Sequence, residues 1–330
     1  MRLETSPTAT TATAPTLAGH LSIARFDHWV KNVFVLPGIV IALSVDRPKD
    51  PIALAIHVLM GMLAVGLVAS SNYTINEVLD APYDRWHPVK RQRPVPSGKV
   101  SVPLAYVQWL ILMVAGVGIA ASISTLFALT MVALWTMGIL YNVPPIRLKD
   151  RVYLDVLSES VNNPLRMLAG WYMVTSLLPP PGSLLVSYWM IGCYFMAIKR
   201  FAEYREIGDP EVSAAYRKSF GSYNERRLLV SIMFYGSFAM LAFGGFAARY
   251  RIEMVLAYPL VALVMAVYLN LAFKPNSAAQ SPELLYRDGL LVFSVGACVL
   301  LMEAMYFIDV PELKTFFNSL PSPLPVVNTK

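Results

Sequence analysis

The stretch Asn72-Tyr-Thr-Ile-Asn76-Glu-Val-Leu-Asp80-Ala-Pro-Tyr-Asp84-Arg-Trp-His-Pro-Val-Lys90-Arg91-Gln-Arg93-Pro-Val-Pro-Ser-Gly98 joins a long apolar run to a basic loop. An oxygen-bearing side chain recurs at positions 72, 76, 80 and 84. On a helix this spacing places them in one stripe, each about 6 Å further along the axis. Mg²⁺ prefers such oxygen ligands and completes its shell with substrate phosphates and water. The stripe therefore predicts a metal–diphosphate site, and the alternative is a solvated helix end.

The composition of the chain predicts a membrane protein. Of its 330 residues, 56% are hydrophobic and only 15% are charged, whereas a soluble domain of this length carries more charge. The apolar residues form long blocks, which is typical of an all-α protein that crosses the membrane many times. In such a protein the net charge of +6 indicates cytoplasmic loops and lipid headgroups rather than nucleic acid.

Apolar blocks of about 20 residues predict about nine transmembrane helices. They cover residues 30–46, 53–76, 102–120, 122–141, 154–176, 184–202, 228–247, 253–273 and 288–308. Residues 1–22, rich in Thr, Ala and Pro, predict a disordered tail. We expect a single transmembrane domain over residues 23–312 and a C-terminal tail over residues 313–330.

The distribution of basic residues predicts the orientation of these helices. With the N-terminus inside, twenty of the 27 Lys and Arg residues fall on the cytoplasmic side and six on the outer side. The polar loops after the second, fourth and sixth spans all lie on the cytoplasmic side and are long. Because long charged loops on one face usually carry function, we expect the active site there, in a bacterial-type inner membrane.

Pro82 interrupts the stripe. Its ring clashes with the carbonyl of Val78, so we expect the helix to kink or end between Asp80 and Asp84. Asp84 would then leave the stripe, and Asn76 and Asp80 are the firmest candidates for the metal site.

The fifth apolar block carries a second polar face. Asp155, Glu159, Asn162 and Arg166 follow a helical i, i+4, i+7, i+11 pattern. Because a charge inside the membrane is costly, these side chains should face a partner or a wet cavity. The sequence leaves open an internal ion pair between Glu159 and Arg166 that only stabilises the bundle.

Basic groups on two further segments suit phosphate binding. The loop after the sixth span contains Lys199, Arg200, Glu203, Tyr204, Arg217 and Tyr223. Arg and Lys make charge-assisted contacts to phosphate oxygens, although a cytoplasmic loop is basic without any ligand. Lys31 and Asn32 begin the first span, where snorkelling of Lys31 to the interface is an equal explanation.

These residues resemble the UbiA superfamily of intramembrane prenyltransferases, and the resemblance covers nearly the whole chain after residue 22. Asn76-x3-Asp80-x3-Asp84 is similar to the first Asp-rich motif of that family, and Asp155-x3-Glu159 lies where its second acidic motif belongs. One branch, the decaprenyl-phosphate phosphoribosyltransferases, is more similar. Its motifs resemble His28-Trp-Val-Lys31-Asn32, His87-Pro-x-Lys90-Arg91-x-Arg93-Pro, Arg166-x3-Gly170, Lys199-Arg200-x2-Glu203 and Arg217-Lys-Ser-x3-Tyr223.

The resemblance implies roles for the candidate residues. It implies catalysis by Asp80, Asp84 and Asp155, and Mg²⁺, for which Mn²⁺ can substitute, on Asn76, Asp80 and Asp84. The candidate substrate-binding residues are Lys31, Asn32, His87, Lys90, Arg91, Arg93, Lys149, Glu159, Arg166, Lys199, Arg200, Glu203, Tyr204, Arg217 and Tyr223.

The reaction implied by that branch moves a 5-phosphoribosyl group from 5-phosphoribosyl 1-diphosphate to a polyprenyl phosphate, as in arabinan precursor synthesis. Cleavage of the anomeric C–O bond gives an oxocarbenium-like transition state, which Asp80 or Asp155 would stabilise. The acceptor phosphate is already an anion and needs no strong base. Three phosphate groups would need positioning, which explains why so many of the candidate residues are cationic. The oligomeric state is left open, homo-oligomers included.

Two other functions remain open from the sequence. An aromatic prenyltransferase would use the same metal site to ionise a prenyl diphosphate, with Tyr73, Tyr83, Tyr141 and Tyr153 beside the carbocation. A membrane transporter with an acidic site at mid-membrane is the other alternative. The clustering of motifs on one face argues against the transporter.

Overall fold

A computed structural model of the chain describes residues 14–48, 50–85, 90–280 and 282–317. These residues contain α- and 3-10 helices and no strand, which confirms the predicted all-α class. The α-helices are α1 Leu17–Ile23, α2 Leu36–Val45, α3 Pro51–Asp84, α4 Val102–Ile123, α5 Thr125–Asn142, α6 Leu154–Ser160, α7 Asn162–Val174, α8 Gly182–Ile207, α9 Pro210–Tyr216, α10 Glu225–Tyr250, α11 Tyr258–Leu271, α12 Gly289–Phe307 and α13 Pro311–Phe317.

Eight helical segments within the described residues are long and apolar enough to cross a membrane. They are Leu17–Val45, Pro51–Asp84, Val102–Ile123, Thr125–Asn142, Gly182–Ile207, Glu225–Tyr250, Ile252–Leu271 and Gly289–Phe307. The fifth predicted span, 154–176, is instead divided into α6 and α7. Helix α6 ends at Ser160, whose carbonyl cannot pair with Pro164, because proline has no N–H and its ring clashes with that carbonyl.

The chain forms two compact units, Met1–Pro180 and Pro181–Lys330. The single domain that we expect over residues 23–312 stays a prediction.

Helix α3 organises the first unit. Its 34 residues make it about 51 Å long at 1.5 Å per residue. Asp50 caps its start by accepting hydrogen bonds from the backbone N–H groups of Ile52 and Ala53. Of the two outcomes predicted at Pro82, a kink or an end, the end does not occur, because the helix continues to Asp84. Pro82 has no N–H to donate to the carbonyl of Val78, and the final turn is closed by the Arg85 N–H, which donates to the Ala81 carbonyl at 3.2 Å.

Helices α2 and α7 approach each other closely through two glycines. A Cβ atom on Gly38 would lie 2.0 Å from the carbonyl oxygen of Met167, and one on Gly170 would lie 2.1 Å from the carbonyl oxygen of Val35. Close backbone contact of this kind is typical of small residues at helix interfaces in membranes. It brings α7, which carries Arg166, against the segment that carries Lys31 and Asn32.

Helix α1 and its N-terminal cap begin before residue 23. The Thr16 hydroxyl accepts a hydrogen bond from Gly19 N–H and caps α1, within the predicted tail of residues 1–22. Ile23 is fully buried in a cluster with Val78 of α3 and Val95 of the following loop. Helix α1 therefore packs beside the end of α3 that carries the acidic stripe.

The second unit is built around α8 and α10, which pack along each other. The Ser187 hydroxyl of α8 donates to the Ala239 carbonyl of α10 at 3.0 Å. The Tyr194 hydroxyl donates to the Met265 carbonyl of α11 at 2.7 Å. These bonds fix the helix from which Lys199, Arg200 and Glu203 project.

Asp288 caps α12 and gives this unit a testable pH dependence. Its carboxylate accepts from Leu291 N–H at 3.0 Å and from the Lys274 ammonium at 3.1 Å, and these bonds hold the pKa of Asp288 below its usual range. We expect Asp288→Ala to cost about 1 kcal/mol of stability at pH 7, a typical N-cap value. A carboxyl with a lowered folded pKa stabilises above its ordinary pKa and loses that contribution as pH falls through the lowered value.

Thermal unfolding in detergent at pH 7 and at about pH 3, below the ordinary aspartate pKa, measures the effect. Asp288→Asn is the matched control, because it keeps an oxygen acceptor for the cap and removes only the charge. A midpoint difference between the natural protein and Asp288→Ala that does not shrink at low pH would contradict the expectation.

Candidate active site

Asp80 lies at the centre of a cluster of cations. One oxygen of its carboxylate, Oδ1, accepts hydrogen bonds from Lys149 Nζ at 2.5 Å and from Arg147 Nη2 at 2.9 Å. The Asp80 side chain is 24% exposed, whereas those of Lys149 and Arg147 are 9% and 12% exposed. A carboxylate that remains open to solvent is therefore held between two nearly buried cations.

The ammonium group of Lys149 connects the stripe to α5. It donates to Asn142 Oδ1 at 2.9 Å and lies 3.4 Å from Asn76 Oδ1. The same ammonium lies 5.9 Å from the ring centroid of Tyr141, within range of a cation–π contact. The structure thus brings Lys149 next to two candidates on α3, Asn76 and Asp80.

Arg147 and Asn142 belong to this cluster, although the sequence did not identify them as site residues. Arg147 has a left-handed backbone conformation, with φ of 32°, which is uncommon for a residue with a side chain. Its guanidinium donates to the Asn142 carbonyl at 3.1 Å and lies 5.3 Å from the Tyr83 ring centroid. Strained backbone of this kind often occurs at functional sites. The only sequence signal for Arg147 was its position in a predicted cytoplasmic loop.

Asp84 has a different partner from Asp80. It is buried, with 6% of its surface exposed, and its Oδ2 accepts from Arg93 Nη1 at 2.8 Å. Arg91 is exposed and Lys90 is half-buried in a 3-10 turn. His87, a predicted substrate-binding residue, lies outside the described residues. The basic run thus supplies Asp84 with a counter-charge.

A second polar region surrounds Tyr73, one helical turn before Asn76. The Tyr73 ring packs edge-on against His28 at 5.3 Å and lies 5.9 Å from the Arg25 guanidinium. Helix α7, which carries Arg166, packs against both α3 and the 3-10 segment that carries His28. The first span, α3 and α7 are therefore neighbours in this region.

The predicted polar face on residues 154–176 is partly assembled. Asp155 is fully buried and Arg166 is 9% exposed, while Glu159 is half-buried. Among the described residues, no ion pair joins Glu159 to Arg166. Asn162 instead donates to the Glu159 backbone carbonyl at 3.0 Å. The purely stabilising pair that the sequence left open is therefore not formed.

Several buried polar atoms in this part of the unit have no hydrogen-bond partner among the described residues. They include Oδ1 of Asn32, whose residue is 1% exposed, and Nε of Arg166. Buried polar atoms are usually paired. Lys31, next to Asn32, is half-buried.

The candidates of the second unit form their own cluster. Arg200 is 3% exposed and its Nη1 donates to Glu203 Oε2 at 2.9 Å, and the charges of Arg217 and Lys199 also act on Glu203. Tyr204 and Tyr223 pack around the buried ring of Phe220 at 5.9 and 6.2 Å. An excess of positive charge is therefore gathered around one carboxylate.

The stripe fits a magnesium ion by the chemistry of its donors. Asn76, Asp80 and Asp84 offer only oxygen atoms, and Mg²⁺ usually takes one or two protein carboxylates, with phosphates and water as its other ligands. The described residues hold no group of three or more His, Cys, Asp or Glu side chains that would form an all-protein metal cage. A site shared between protein and substrate phosphates is consistent with both observations.

Comparison with known proteins identifies the family. The model of the UbiA prenyltransferase family matches residues 32–287. The chain belongs to the UbiA prenyltransferase family. This confirms the resemblance seen in the sequence, and the chain is accordingly a transferase and a multi-pass membrane protein.

Two of the similar proteins share one name. The chain is 29% identical over 294 residues to the decaprenyl-phosphate phosphoribosyltransferase of Mycobacterium tuberculosis, which covers 86% of this chain and 95% of that relative. It is 30% identical over 218 residues to the protein of the same name from Mycolicibacterium smegmatis, covering 64% of each chain.

A solved structure shows the same fold. The UbiA homologue of Archaeoglobus fulgidus, bound to DMAPP and Mg²⁺, has a TM-score of 0.66 and covers 88% of this chain and 100% of its own. The two are 20% identical. The UbiA fold of the described helices is therefore shared with a metal-binding archaeal relative.

Proposed function

We propose that this protein transfers a 5-phosphoribosyl group from 5-phosphoribosyl 1-diphosphate to a decaprenyl-type polyprenyl phosphate, at the cytoplasmic face of a bacterial inner membrane. The observation that carries the proposal is the likeness to the mycobacterial phosphoribosyltransferase along almost all of that relative. The product would be a lipid-linked phosphoribose of the kind used in arabinan precursor synthesis.

The charges around the acidic stripe support a substrate with several phosphates. Asp80 is flanked by Lys149 and Arg147, and Asp84 by Arg93. Planar guanidinium groups and ammonium groups are the usual ligands of phosphate oxygens. The donor carries a 5-phosphate and a diphosphate, and the acceptor carries one phosphate, so three anionic groups need positioning.

The transfer breaks the bond between C1 of the ribose and the diphosphate oxygen, and forms a bond between C1 and an oxygen of the acceptor phosphate. Diphosphate leaves with the bonding electron pair. We assign to Lys149 and Arg147 the binding of the diphosphate as its charge grows, and to the open carboxylate of Asp80 the stabilisation of positive charge at C1. Mg²⁺, bound on Asn76 and Asp80, would supply further neutralisation of the leaving group.

Further residues proposed to act in the reaction are the fully buried Asp155 and the cluster around Tyr73 in the first unit, and the cluster around Glu203 in the second unit. We assign to Asp155 a share in stabilising positive charge at C1, and to Lys31, Asn32, Arg166, Lys199 and Arg200 the binding of the remaining phosphate groups. No proton has to be removed from the acceptor phosphate, so no side chain is assigned as a general base.

A second candidate function has a specific observation in its favour. The archaeal homologue was solved with DMAPP, and Tyr83 and Tyr141 lie beside the cations of the stripe, where aromatic rings could face a prenyl carbocation. An aromatic prenyltransferase would use the same acidic stripe with a prenyl diphosphate as donor.

One experiment separates the two functions. Purified protein with Mg²⁺ is given either labelled 5-phosphoribosyl 1-diphosphate and polyprenyl phosphate, or a labelled prenyl diphosphate and an aromatic acid. We expect label to enter the lipid fraction in the first mixture, only when polyprenyl phosphate is present, and to stop when the metal is chelated. Product in the second mixture alone would overturn the proposal and establish the second candidate.

A further inference from the structure

The basic loop after α3, of which the structure describes residues 90–99 before α4, is hydrogen-bonded throughout its second half. Each residue from Arg93 to Lys99 that has a backbone N–H group donates it at 3.0–3.1 Å, and the two prolines of this stretch have none to donate. Most of these bonds end on carbonyl oxygens of the loop itself. The bond from Val95 instead leaves the loop and ends on a side chain of α3.

That side chain is Glu77, a buried carboxyl group beside the acidic stripe. Its Oε1 accepts from Val95 N–H at 3.1 Å. Glu77 is 6% exposed and Val95 is 4% exposed, so the bond is shielded from water. Removing one partner of a buried hydrogen bond leaves the other partner unsatisfied, which costs more than the bond itself contributes. The bond therefore fixes the position of Val95 on α3.

A second carboxylate of α3 holds the same loop further along the helix. Asp84 lies seven residues after Glu77, about 10 Å along the axis and on the same face, and it accepts from Arg93 at 2.8 Å. Asp80 lies between them, three residues after Glu77 and four before Asp84, so its side chain neighbours both. The loop is thus held along the face of α3 that carries Asp80.

Contacts with the start of the chain hold the loop from another side. Val95 and Val100 are buried in one cluster with Ile23, which directly ends α1. The Lys99 carbonyl accepts from Thr16 N–H at 3.0 Å, and Thr16 is the residue that caps α1. With α3 on one side and α1 on another, the backbone of the loop has a defined place beside the stripe.

We propose that Glu77 is a positioning residue for the donor substrate. Through Val95 it fixes the basic loop, and with it the guanidinium of Arg93, next to Asp80. The inference rests on the proposed function, in which cations beside the stripe bind the phosphate groups of 5-phosphoribosyl 1-diphosphate. A cation that is held in place before the substrate arrives binds it more tightly than one that must first be ordered. Glu77 acts on affinity for the donor and has no part in bond breaking.

Two substitutions separate the hydrogen bond from the size and charge of the side chain. Glu77→Met keeps a side chain of similar length but offers only a weakly accepting sulfur, whereas Glu77→Gln keeps an oxygen acceptor and removes the charge. We expect Glu77→Met to raise the KM for 5-phosphoribosyl 1-diphosphate several-fold while kcat changes by less than about twofold, the pattern of lost substrate binding. Glu77→Gln should restore the KM of the natural protein.

Amide hydrogen exchange gives a readout that does not depend on the reaction. A peptide containing residues 93–99 should exchange several-fold faster in Glu77→Met than in the natural protein or in Glu77→Gln. Thr74→Val is the matched control. Thr74 is also buried in α3, but its hydroxyl donates within the helix, to the Ser70 carbonyl at 2.9 Å. This variant should change neither the exchange of residues 93–99 nor the KM.

Three results with an active natural protein would overturn this inference and leave the proposed function standing. Natural exchange in Glu77→Met would show that the bond does not hold the loop. Faster exchange with an unchanged KM would show that the loop does not position the donor. A raised KM in Glu77→Gln would assign the effect to the charge, and this result decides even if Glu77→Met yields no folded protein. A natural protein that transfers no phosphoribosyl group would overturn the proposed function, and the donor role of Glu77 with it.

Discussion

Asp80→Asn is expected to reduce phosphoribosyl transfer by about 10²–10³-fold, the usual effect of removing one preorganised charge from an active site. In the proposed reaction, the variant loses the negative charge assigned to stabilising C1 and the carboxylate proposed to bind Mg²⁺. It keeps the shape of the side chain and an oxygen acceptor for Lys149 Nζ, now 2.5 Å from Oδ1. Initial rates of label transfer into lipid measure the effect.

Stability distinguishes a catalytic role from a structural one. Asp80→Asn leaves Lys149 and Arg147, both nearly buried, without their shared carboxylate, and an unpaired buried charge is destabilising. We therefore also expect some loss of thermal stability. A large loss of transfer in a variant that keeps most of its unfolding midpoint would support a catalytic role for Asp80. A loss of transfer that only follows the loss of folded protein would show that Asp80 supports the fold alone.

Gly170→Ala is expected to be among the most damaging small substitutions in the first unit. The new Cβ would lie 2.1 Å from the carbonyl oxygen of Val35 and 3.0 Å from the amide nitrogen of Ile39. Both obstacles are backbone atoms, which cannot rotate away, so α2 and α7 must separate. We expect a loss of about 3 kcal/mol or more, at the upper end of overpacking costs, seen as a lower unfolding midpoint or a lower folded yield in detergent.

Gly118→Ala is the matched control for this substitution. It is also a glycine inside a membrane-spanning helix, but nothing lies within 4 Å of its added Cβ. Because alanine has a better helix propensity than glycine, Gly118→Ala should leave stability unchanged or raise it slightly. Equal losses for the two variants would mean that helix contact at Gly170 is not the cause.

Composition and hydrophobic blocks predicted the helical membrane class and most of the spans. They did not foresee the division of residues 154–176 into α6 and α7, where Pro164 cannot donate to the carbonyl of Ser160. At Pro82 the local rule predicted a kink or an end, and the helix does not end but continues to Asp84. Val78 and Ala81 of this part of α3 are buried in a cluster, and such packing offsets the cost of a proline inside a helix.

The site was predictable where it depended on spacing along one helix. Periodicity placed Asn76 and Asp80 together, but it could not supply their partner Lys149, which is 69 residues away from Asp80 in sequence. Arg147 was missed because its contact with Asp80 depends on a left-handed backbone conformation at Arg147 itself. Arginine has no preference for that conformation, so the sequence does not predict it. Asp84 shares the periodicity of Asp80, yet its pairing with Arg93 depends on how the basic loop folds back.

The length of α3 makes the thickness of the surrounding bilayer relevant to chemistry at Asp80. At about 51 Å, the helix exceeds a hydrocarbon core of about 30 Å by some 20 Å. The acidic stripe occupies the last turns of α3. There it can be reached both by a reactant dissolved in water and by a reactant that diffuses within the lipid layer. A thicker membrane, or a larger tilt of α3, would draw this end of the helix toward hydrocarbon and shut out the water-borne reactant first.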